Sequence, residues 1–348
     1  MDGPRWSTAP LFLAVMALLI VLTGGWIRIS EAGEACPEWP TCFGEIHPFI
    51  SEQAQGEWWE AHPDEVDSRG PGHRYSTLQI FAEWVHRLLV GVIAVPILLL
   101  TIWSIRDSTI FSRRLTGLFV GTSVLLAAQA LAGYLTVEFD NLPWSVSLHL
   151  LLSQIFILSL LAAWLEWTRI DGSRPIKLSV QHGRIVGNVW LWSSTIAVLL
   201  VLVAGAMVSS SGTWNACSVG FISAWPLCQG DVIPPLSQNV GWQLVHRFAV
   251  LVVTLNLIFM LYHRHREGVA ADQPHVHRLL VIGMAIYVFN VLLAGLFLVL
   301  AEDSGLLGSL SLLHLMCGSF SFLTIGLAAT MQVIGPTTVL IAAEASEE

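Results

Sequence analysis

Residues 79–104 read QIFAEWVHRLLVGVIAVPILLLTIWS, and this stretch decides the fold. As a helix rising 1.5 Å per residue it spans about 39 Å, which exceeds the hydrocarbon thickness of a bilayer, about 30 Å. Its two charged residues, Glu83 and Arg87, flank His86 near one end. Ionisable groups inside a membrane are rare and usually functional. The stretch therefore predicts a transmembrane helix with a functional cluster near one end.

The same pattern returns at residues 241–262, GWQLVHRFAVLVVTLNLIFMLY, where His246-Arg247 repeats His86-Arg87. The other repeated elements of the first copy are Gly24-Gly25, Cys36, Trp39-Pro40-Thr41-Cys42, Leu131-Ala132-Gly133 and His149. Their second copies are Gly205-Ala206, Cys217, Trp225-Pro226-Leu227-Cys228, Leu293-Ala294-Gly295 and His314. The glycine pair and first cysteine shift by 181 positions, and the elements from His86 onwards shift by 160 to 165, because the second loop is shorter.

Composition places this chain in the membrane. It is 54% hydrophobic and only 12% charged, whereas soluble domains carry about 25% charged residues. Apolar runs long enough to span a bilayer occur eight times, at about 10–29, 79–104, 115–137, 145–166, 187–210, 241–262, 279–300 and 307–333. We therefore predict an all-α integral membrane protein with eight transmembrane helices.

The repeat predicts the domain organisation. Four helices per half, an even number, give both halves the same orientation, so two tandem four-helix bundles are related by a pseudo-twofold axis along the membrane normal. The predicted units are an N-terminal bundle (1–167), a cytoplasmic linker (168–186), a C-terminal bundle (187–335) and a cytoplasmic tail (336–348).

Basic residues set the orientation. They follow the second, fourth and sixth spans, as Arg106, Arg113, Arg114, Arg169, Arg174, Lys177, Arg184, Arg264, Arg266 and Arg278. By the positive-inside rule both termini of this multi-pass chain face the cytoplasm, and its main partner is the lipid bilayer. The net charge of −9 comes mostly from the external loops, and nothing suggests nucleic-acid binding.

Four of the five cysteines, Cys36, Cys42, Cys217 and Cys228, fall in the predicted external loops, where oxidation is favoured. Local pairing of Cys36 with Cys42 and of Cys217 with Cys228 is the simplest of three possible connectivities. Cys317 falls in the last helix and is predicted to be a core residue.

Four histidines are the candidate metal ligands. His86, His149, His246 and His314 are predicted at similar depth in the outer half of the membrane, on helices that can face each other across each bundle. Two imidazoles on opposing helices suit axial ligation of haem iron. A histidine that only hydrogen-bonds within the bundle is the alternative, and four histidines at matched positions favour the haem sites.

Three arginines are candidates for the haem propionates, because arginine forks match carboxylates. Arg87 and Arg247 follow candidate ligands, and Arg28 closes the first helix at its external end. The alternative is that the side chains reach out to the membrane interface. For Arg28 this alternative is favoured as much as a propionate contact. For the arginines of the repeated His-Arg pairs it is favoured less than a propionate contact.

The two halves differ at Glu83, which becomes Gln243 in the second copy. An i, i+3 spacing places Glu83 on the same helix face as His86, where a carboxylate can act as an acid or base or offset developing positive charge. Glutamine cannot titrate. One half is thus predicted to be chemically active and the other to be a fixed cofactor site, with a purely structural hydrogen bond of Glu83 as the alternative.

At these residues the chain resembles the haem A synthase family, in its cysteine-bearing bacterial type. The family's first-half pattern stands here as Gly24-Gly25-Trp26-Ile27-Arg28, Cys36-Pro37-Glu38-Trp39-Pro40-Thr41-Cys42-Phe43-Gly44 and Glu83-Trp84-Val85-His86-Arg87. The second-half echo is Trp225-Pro226-Leu227-Cys228-Gln229-Gly230 with His246-Arg247.

The resemblance implies that the first half binds the substrate haem O through His86 and His149, and that the second holds haem b between His246 and His314. A ring methyl would be oxidised to a formyl group by two successive hydroxylations, giving haem A for terminal oxidases, with Glu83 assisting. Cys36 and Cys42 become candidate catalytic residues, although a structural disulfide is at least as favoured. Haem O synthase, an electron acceptor and a second copy of the chain are the candidate partners.

The second half departs from the first at Ser209, which stands where Arg28 stands, and in the wider spacing of Cys217 and Cys228. These departures put in doubt one propionate contact of the haem b site and any equivalent role for the second cysteine pair. Two rival functions explain the four histidines: a two-haem b-type cytochrome taking electrons from quinol, and a haem transporter or chaperone. The cytochrome gives no reason for the difference between Glu83 and Gln243, and the transporter or chaperone predicts weakly held haem and tolerance of Glu83→Gln.

Overall fold

The computed structural model describes residues 6–65, 69–173, 185–268, 270, 273–300 and 304–334, without the side chains of 185–188 and 304–307. Most of the predicted linker, including Arg174, Lys177 and Arg184, and all of the predicted tail (336–348) lie outside the described residues.

Long helices make up most of the described chain. They are α1 (Ala9–Ile29), α2 (Glu52–Ala61), α3 (Thr77–Arg106), α4 (Arg113–Glu138), α5 (Pro143–Ile170), α6 (Ile185–Ser210), α7 (Gln238–Arg266), α8 (Pro274–Val299) and α9 (Ser304–Ile334). Eight of them, all but α2, are long and apolar enough to cross a membrane, which confirms the predicted fold class. The second long loop carries two short paired strands, β1 (Phe221–Ile222) and β2 (Trp225–Pro226).

Local sequence signals explain where several helices begin. Ser76 caps α3 in a reciprocal capping box with Gln79. Ser112 and Ser237 cap α4 and α7 with their side chains. Proline begins α5 and α8, because its fixed backbone angle suits the first helical position. These signals place the helix starts within a few residues of the predicted spans.

The spanning helices pack in two groups. In the first group, α1 and α4 each pack against α3 and α5; in the second group, α6 and α8 each pack against α7 and α9. The groups meet where α5 contacts α6 and α9, and where α1 contacts α9. Their relation by a pseudo-twofold axis stays a prediction. We call the end of the helices that carries the two cysteine loops the outer end.

The first long loop forms an ordered cap at the outer end. Trp59 of α2 is buried with Phe43, Tyr75 and both cysteines of this loop. Gln55 is fully buried and exchanges two hydrogen bonds with the backbone of Tyr75, at 3.0 and 2.8 Å. The cap therefore has its own small apolar core, which covers the first cysteine pair.

Both loops are closed by disulfide bonds, Cys36–Cys42 and Cys217–Cys228, so the local pairing is the one present. Cys317 is a buried free cysteine in α9, as predicted.

One prediction concerns the contact between α8 and α9. A Cβ built on Gly283 would lie 2.6 Å from Cγ1 of the buried Ile325. A Cβ built on Gly121, 162 positions earlier, would have no atom within 4 Å among the described residues beyond its own stretch of helix. We expect Gly283→Ala to lower the free energy of unfolding by about 1–3 kcal/mol through overpacking. Gly121→Ala should leave it unchanged or raise it by up to about 1 kcal/mol, because alanine favours helix. Thermal unfolding in one detergent compares the two, and equal midpoints would contradict the close contact.

Candidate functional site

A cavity of about 1400 Å³ is lined by residues of both helix groups. A pocket for one drug-sized ligand is typically about 300–1000 Å³, so this cavity is large enough for more than one such ligand. It brings together most of the residues singled out from the sequence: Glu83, His86, His149, His246, His314, Arg28, Arg87 and Arg247.

The helices place the four histidines at comparable depth. His86, His149, His246 and His314 lie nine, six, eight and ten residues after the first residue of α3, α5, α7 and α9. The helices of each pair lie across their group from one another, because α3 and α5 each pack beside α1 and α4, and α7 and α9 each pack beside α6 and α8. This is the arrangement expected for two imidazoles that share a ligand held between facing helices.

Glycines bring helix backbones close to three of the imidazoles. A Cβ would lie 3.3 Å from His86 Cε1 if built on Gly24, and 3.1 Å from His246 Cε1 if built on Gly205. A Cβ on Gly133 would lie 2.9 Å from His149 Cε1. The repeated glycines thus form a cradle for the rings that a larger residue would disturb.

The fourth histidine breaks this pattern. Gly295, the counterpart of Gly133, faces the indole of Trp225, whose nearest atom would lie 2.8 Å from an added Cβ. In the first group the counterpart of this tryptophan, Trp39, is 64% exposed. The second loop therefore packs more deeply onto its helices than the first loop does at this point.

Glu83 is buried and both of its carboxylate oxygens are bonded. Oε2 accepts a hydrogen bond from the backbone N–H of Cys36 at 2.9 Å, and Oε1 accepts one from Nη2 of Arg87 at 2.5 Å. Charge-assisted bonds of this kind are the stronger class of hydrogen bond. Glu83 therefore lines the cavity and at the same time fixes the disulfide loop.

Arg87 ties the same loop from the other side. Its Nη2 also donates to the Cys36 carbonyl at 2.7 Å, and its Nη1 donates to the carbonyls of Thr41, at 3.1 Å, and Glu38. The prediction for Arg87 was a contact with a haem propionate. In this structure its guanidinium donates hydrogen bonds to the loop backbone and to Glu83.

The second group uses the same positions differently. Gln243 is as buried as Glu83, but its amide donates to the carbonyls of Thr213 and Trp214, at 3.0 and 2.6 Å. Arg247 donates to the Leu227 carbonyl at 2.8 Å. A glutamate at position 243 could not make these bonds when ionised, because a carboxylate only accepts. The difference between Glu83 and Gln243 is thus matched by a difference in loop backbone.

Arg28 lies between the two groups. Its Nη2 donates to the carbonyls of Ser209 and Ser210 at the outer end of α6, both at 3.3 Å. Its Nε is buried and has no hydrogen-bond partner among the described residues. Nη2 of Arg247 is likewise buried and has no hydrogen-bond partner among the described residues.

These observations fit a haem, which no part of this structure contains. Its propionates would supply acceptors for the unpaired nitrogens of Arg28 and Arg247, both of which line the cavity. The imidazoles of His246 and His314 have Nδ1 atoms without a partner in the described part of the chain, and neutral imidazole is the usual axial ligand of haem iron. The donor set is nitrogen from histidine, which is a common axial ligand of haem iron.

Both cysteines of the first pair have no exposed surface. They pack with Phe43 and Trp59 in the apolar core of the cap. A thiol from outside would have to open this cap before it could reach the disulfide, because exchange requires direct attack on a sulfur atom.

Sequence reasoning missed two residues that contact the candidate ligands. Thr23 Oγ1 lies 3.1 Å from His86 Nδ1, and Gln129 Nε2 lies 3.0 Å from His149 Nδ1. Their signal was their place beside repeated elements: Thr23 precedes the glycine pair, and Gln129 precedes the Leu-Ala-Gly motif.

The chain matches a family model described as COX15-CtaA, cytochrome oxidase assembly protein, over residues 7–325, which runs from the start of α1 into α9. It is similar to the heme A synthase of Symbiobacterium thermophilum, with 30% identity over 251 residues that cover 70% of each chain. It is also similar to the heme A synthase of Lysinibacillus sphaericus, with 26% identity over 293 residues that cover 82% of each chain.

A second prediction concerns the hold of Arg87 on the first loop. We expect Arg87→Leu to speed protease cleavage between residues 30 and 76 at least about tenfold, because breaking a buried ion pair by removing one partner costs about 3–5 kcal/mol. Arg247→Leu is the matched control and should leave cleavage of this loop unchanged. Limited proteolysis with mass spectrometry gives the rates. An equal rate in Arg87→Leu and the unaltered protein would show that the loop does not depend on Arg87.

Proposed function

The chain belongs to the COX15-CtaA family of cytochrome oxidase assembly proteins, the haem A synthases, and we propose that it oxidises haem O to haem A. The observation that carries the proposal is that all four matched histidines line one large cavity in a chain of this family. A cavity that spans both helix groups suits two haem groups, a substrate and a resident cofactor.

We assign haem O to the first group, with His86 and His149 as ligands, and haem b to the second, with His246 and His314. The assignment is supported by the difference at one matched position beside the candidate ligands, Glu83 against Gln243, both of which line the cavity. Haem b supplies a centre for electron transfer when bound. Arg28 and Arg247 carry buried unpaired nitrogens that suit propionates.

The proposed reaction converts one methyl group of the substrate. Two successive hydroxylations give a geminal diol, which loses water and leaves a formyl group. Each hydroxylation replaces one hydrogen of the methyl carbon by the hydroxyl group of a water molecule and releases two electrons and two protons. Four electrons in all pass to an external acceptor, and four protons pass to the solvent. The role of the protein is to hold the ring, to exclude bulk water and to keep a carboxylate beside the ring.

Glu83 is the proposed catalytic carboxylate, either moving a proton or offsetting positive charge that develops on the substrate. Its ion pair with Arg87 holds the carboxylate in place. We propose that Cys36 and Cys42 act through their disulfide as a clasp for Glu83, since their burial excludes ready attack from outside and the Cys36 N–H bonds to the carboxylate.

The proposed location is the plasma membrane of a bacterial cell, with both termini in the cytoplasm and the disulfide loops outside. Arg106, Arg113 and Arg114 support this orientation, because they cluster where α3 ends and α4 begins, opposite the outer end.

A third prediction tests the proposed function. In cells able to make haem O, we expect Glu83→Gln to reduce the haem A bound to the purified protein at least about 100-fold, in line with the 10²–10⁴-fold effect of a general acid or base. Haem b should stay bound, and haem O or the hydroxylated intermediate should accumulate. Gln243→Glu is the matched control and should still give haem A. Haems are extracted and separated by chromatography.

Other outcomes of this experiment separate the rival functions. Normal haem A from Glu83→Gln removes Glu83 from the mechanism. Haem b alone in the unaltered protein, despite available haem O, favours an electron-transfer cytochrome. A protein that retains no haem is a carrier, or its ligands are assigned wrongly. Protease resistance of the first loop in Glu83→Gln distinguishes lost chemistry from a released loop.

A further inference from the structure

The ring of His86 is held by a threonine from the neighbouring helix α1. Thr23 Oγ1 lies 3.1 Å from His86 Nδ1, and the same hydroxyl donates to the Ile20 carbonyl at 2.7 Å. A hydroxyl has one hydrogen to donate and two lone pairs to accept with. Because that hydrogen is used on Ile20, the Thr23 oxygen must accept the hydrogen bond from His86 Nδ1–H. His86 Nε2 is then the nitrogen left without a hydrogen.

This hydrogen bond selects the form of the imidazole that a metal needs. Neutral imidazole carries its hydrogen on one nitrogen, and the partner of that nitrogen decides which nitrogen is free to ligate. Metal-bound histidines almost always donate their other N–H to a partner, which fixes the ring and raises its basicity. Thr23 has this relation to His86.

Gln129 contacts His149 in a different way. Its side-chain nitrogen lies 3.0 Å from His149 Nδ1 and 3.3 Å from Nε2. An atom almost equally far from both ring nitrogens lies over the ring and away from the direction of either N–H bond, so this contact packs against the imidazole without selecting which nitrogen carries the hydrogen.

The second group lacks these side-chain partners. The position 181 residues after Thr23 is Ala204, and the position 162 residues after Gln129 is Val291. His246 Nδ1 and His314 Nδ1 have no hydrogen-bond partner within the described residues. The amide nearest in sequence to Val291, that of Asn290, faces α9 at Gly318, where an added Cβ would lie 3.4 Å from Nδ2. Backbone carbonyls lie near the rings in both groups, at Ile20 and Val201 among others, so the contrast is in the side chains.

We propose that Thr23 is a positioning residue of the first histidine pair, which fixes the Nδ1–H form of His86 and so reserves its Nε2 for the iron of the substrate haem. This inference rests on the proposed function, because it assumes that the first pair ligates haem. The hydrogen bond makes His86 a better electron donor and stabilises ferric over ferrous iron. The first-group haem therefore has a lower reduction potential than it would have without it.

The experiment uses the full-length protein purified with its haems and measures two properties of each haem. The first is the reduction potential, by optical titration. The second is the rate at which haem passes to an excess of a haem-scavenging apoprotein. Variants His86→Ala and His246→Ala identify which signal belongs to which group.

We expect Thr23→Val, which keeps the shape and removes the oxygen, to raise the potential of the first-group haem and to speed its release about 10- to 100-fold, the usual cost of losing such a partner. Thr23→Ser keeps the hydroxyl and should behave as the unaltered protein. The second-group haem is the internal control and should not change.

Ala204→Thr is the reciprocal test, because it supplies the missing hydroxyl to His246. It should lower the potential of the second-group haem and slow its release, even if Thr23→Val fails to fold. Unchanged potentials and release rates in Thr23→Val and Ala204→Thr, with both haems present, overturn the inference and leave the proposed function standing. If His86→Ala keeps both haem signals, the proposed haem site itself is overturned, whatever the Thr23 variants show.

Discussion

The arrangement of the first pocket depends on the buried ion pair between Glu83 and Arg87. Either charge alone at this depth would be costly, since charged groups are expensive inside a membrane and an unpaired buried charge is strongly destabilising. Their ion pair has a distance of 2.5 Å. Glu83 also accepts from the N–H of Cys36, and Arg87 also donates to the carbonyls of Cys36 and Thr41. The charge pair and the disulfide loop therefore hold each other, and the carboxylate that lines the cavity has a fixed position because the loop does.

The two copies share a frame and differ in the groups that touch the histidines. Glycines at matched positions bring the helix backbone close to His86 and His246. The hydroxyl of Thr23 has no counterpart at Ala204, and the acceptor Glu83 is replaced by the donor Gln243. A pocket for a substrate that must react and leave needs groups that tune and move charge, whereas a pocket for a resident cofactor needs mainly to hold it. The differences between the copies lie where the proposed assignment, substrate in the first pocket and cofactor in the second, requires them.

Sequence reasoning predicted the helices well because hydropathy over about 20 residues is set by the bilayer and depends little on tertiary contacts. The repeat then grouped the four histidines. It did not predict that Arg87 bonds to loop carbonyls, because backbone acceptors leave no trace in a side-chain motif. The contact of Thr23 with His86 joins residues 63 positions apart on different helices, so no local pattern contains it. Helix α2 could have been found, since Ser51 is a good N-cap before Glu52.

The contacts of Arg28 explain why the second copy has serine at the matching position, Ser209, which the sequence alone presents as the loss of a propionate contact. Its Nη2 bonds to the carbonyl of Ser209, the residue 181 positions later that stands in its own place in the second copy. A residue that touches its counterpart lies where the two copies meet, close to the predicted twofold axis. A second arginine at position 209 would set two like charges against each other in a partly buried place, which is unfavourable. Serine at this position lets one arginine bridge both copies, so the asymmetry follows from where the copies join and does not require that the second pocket has lost a function.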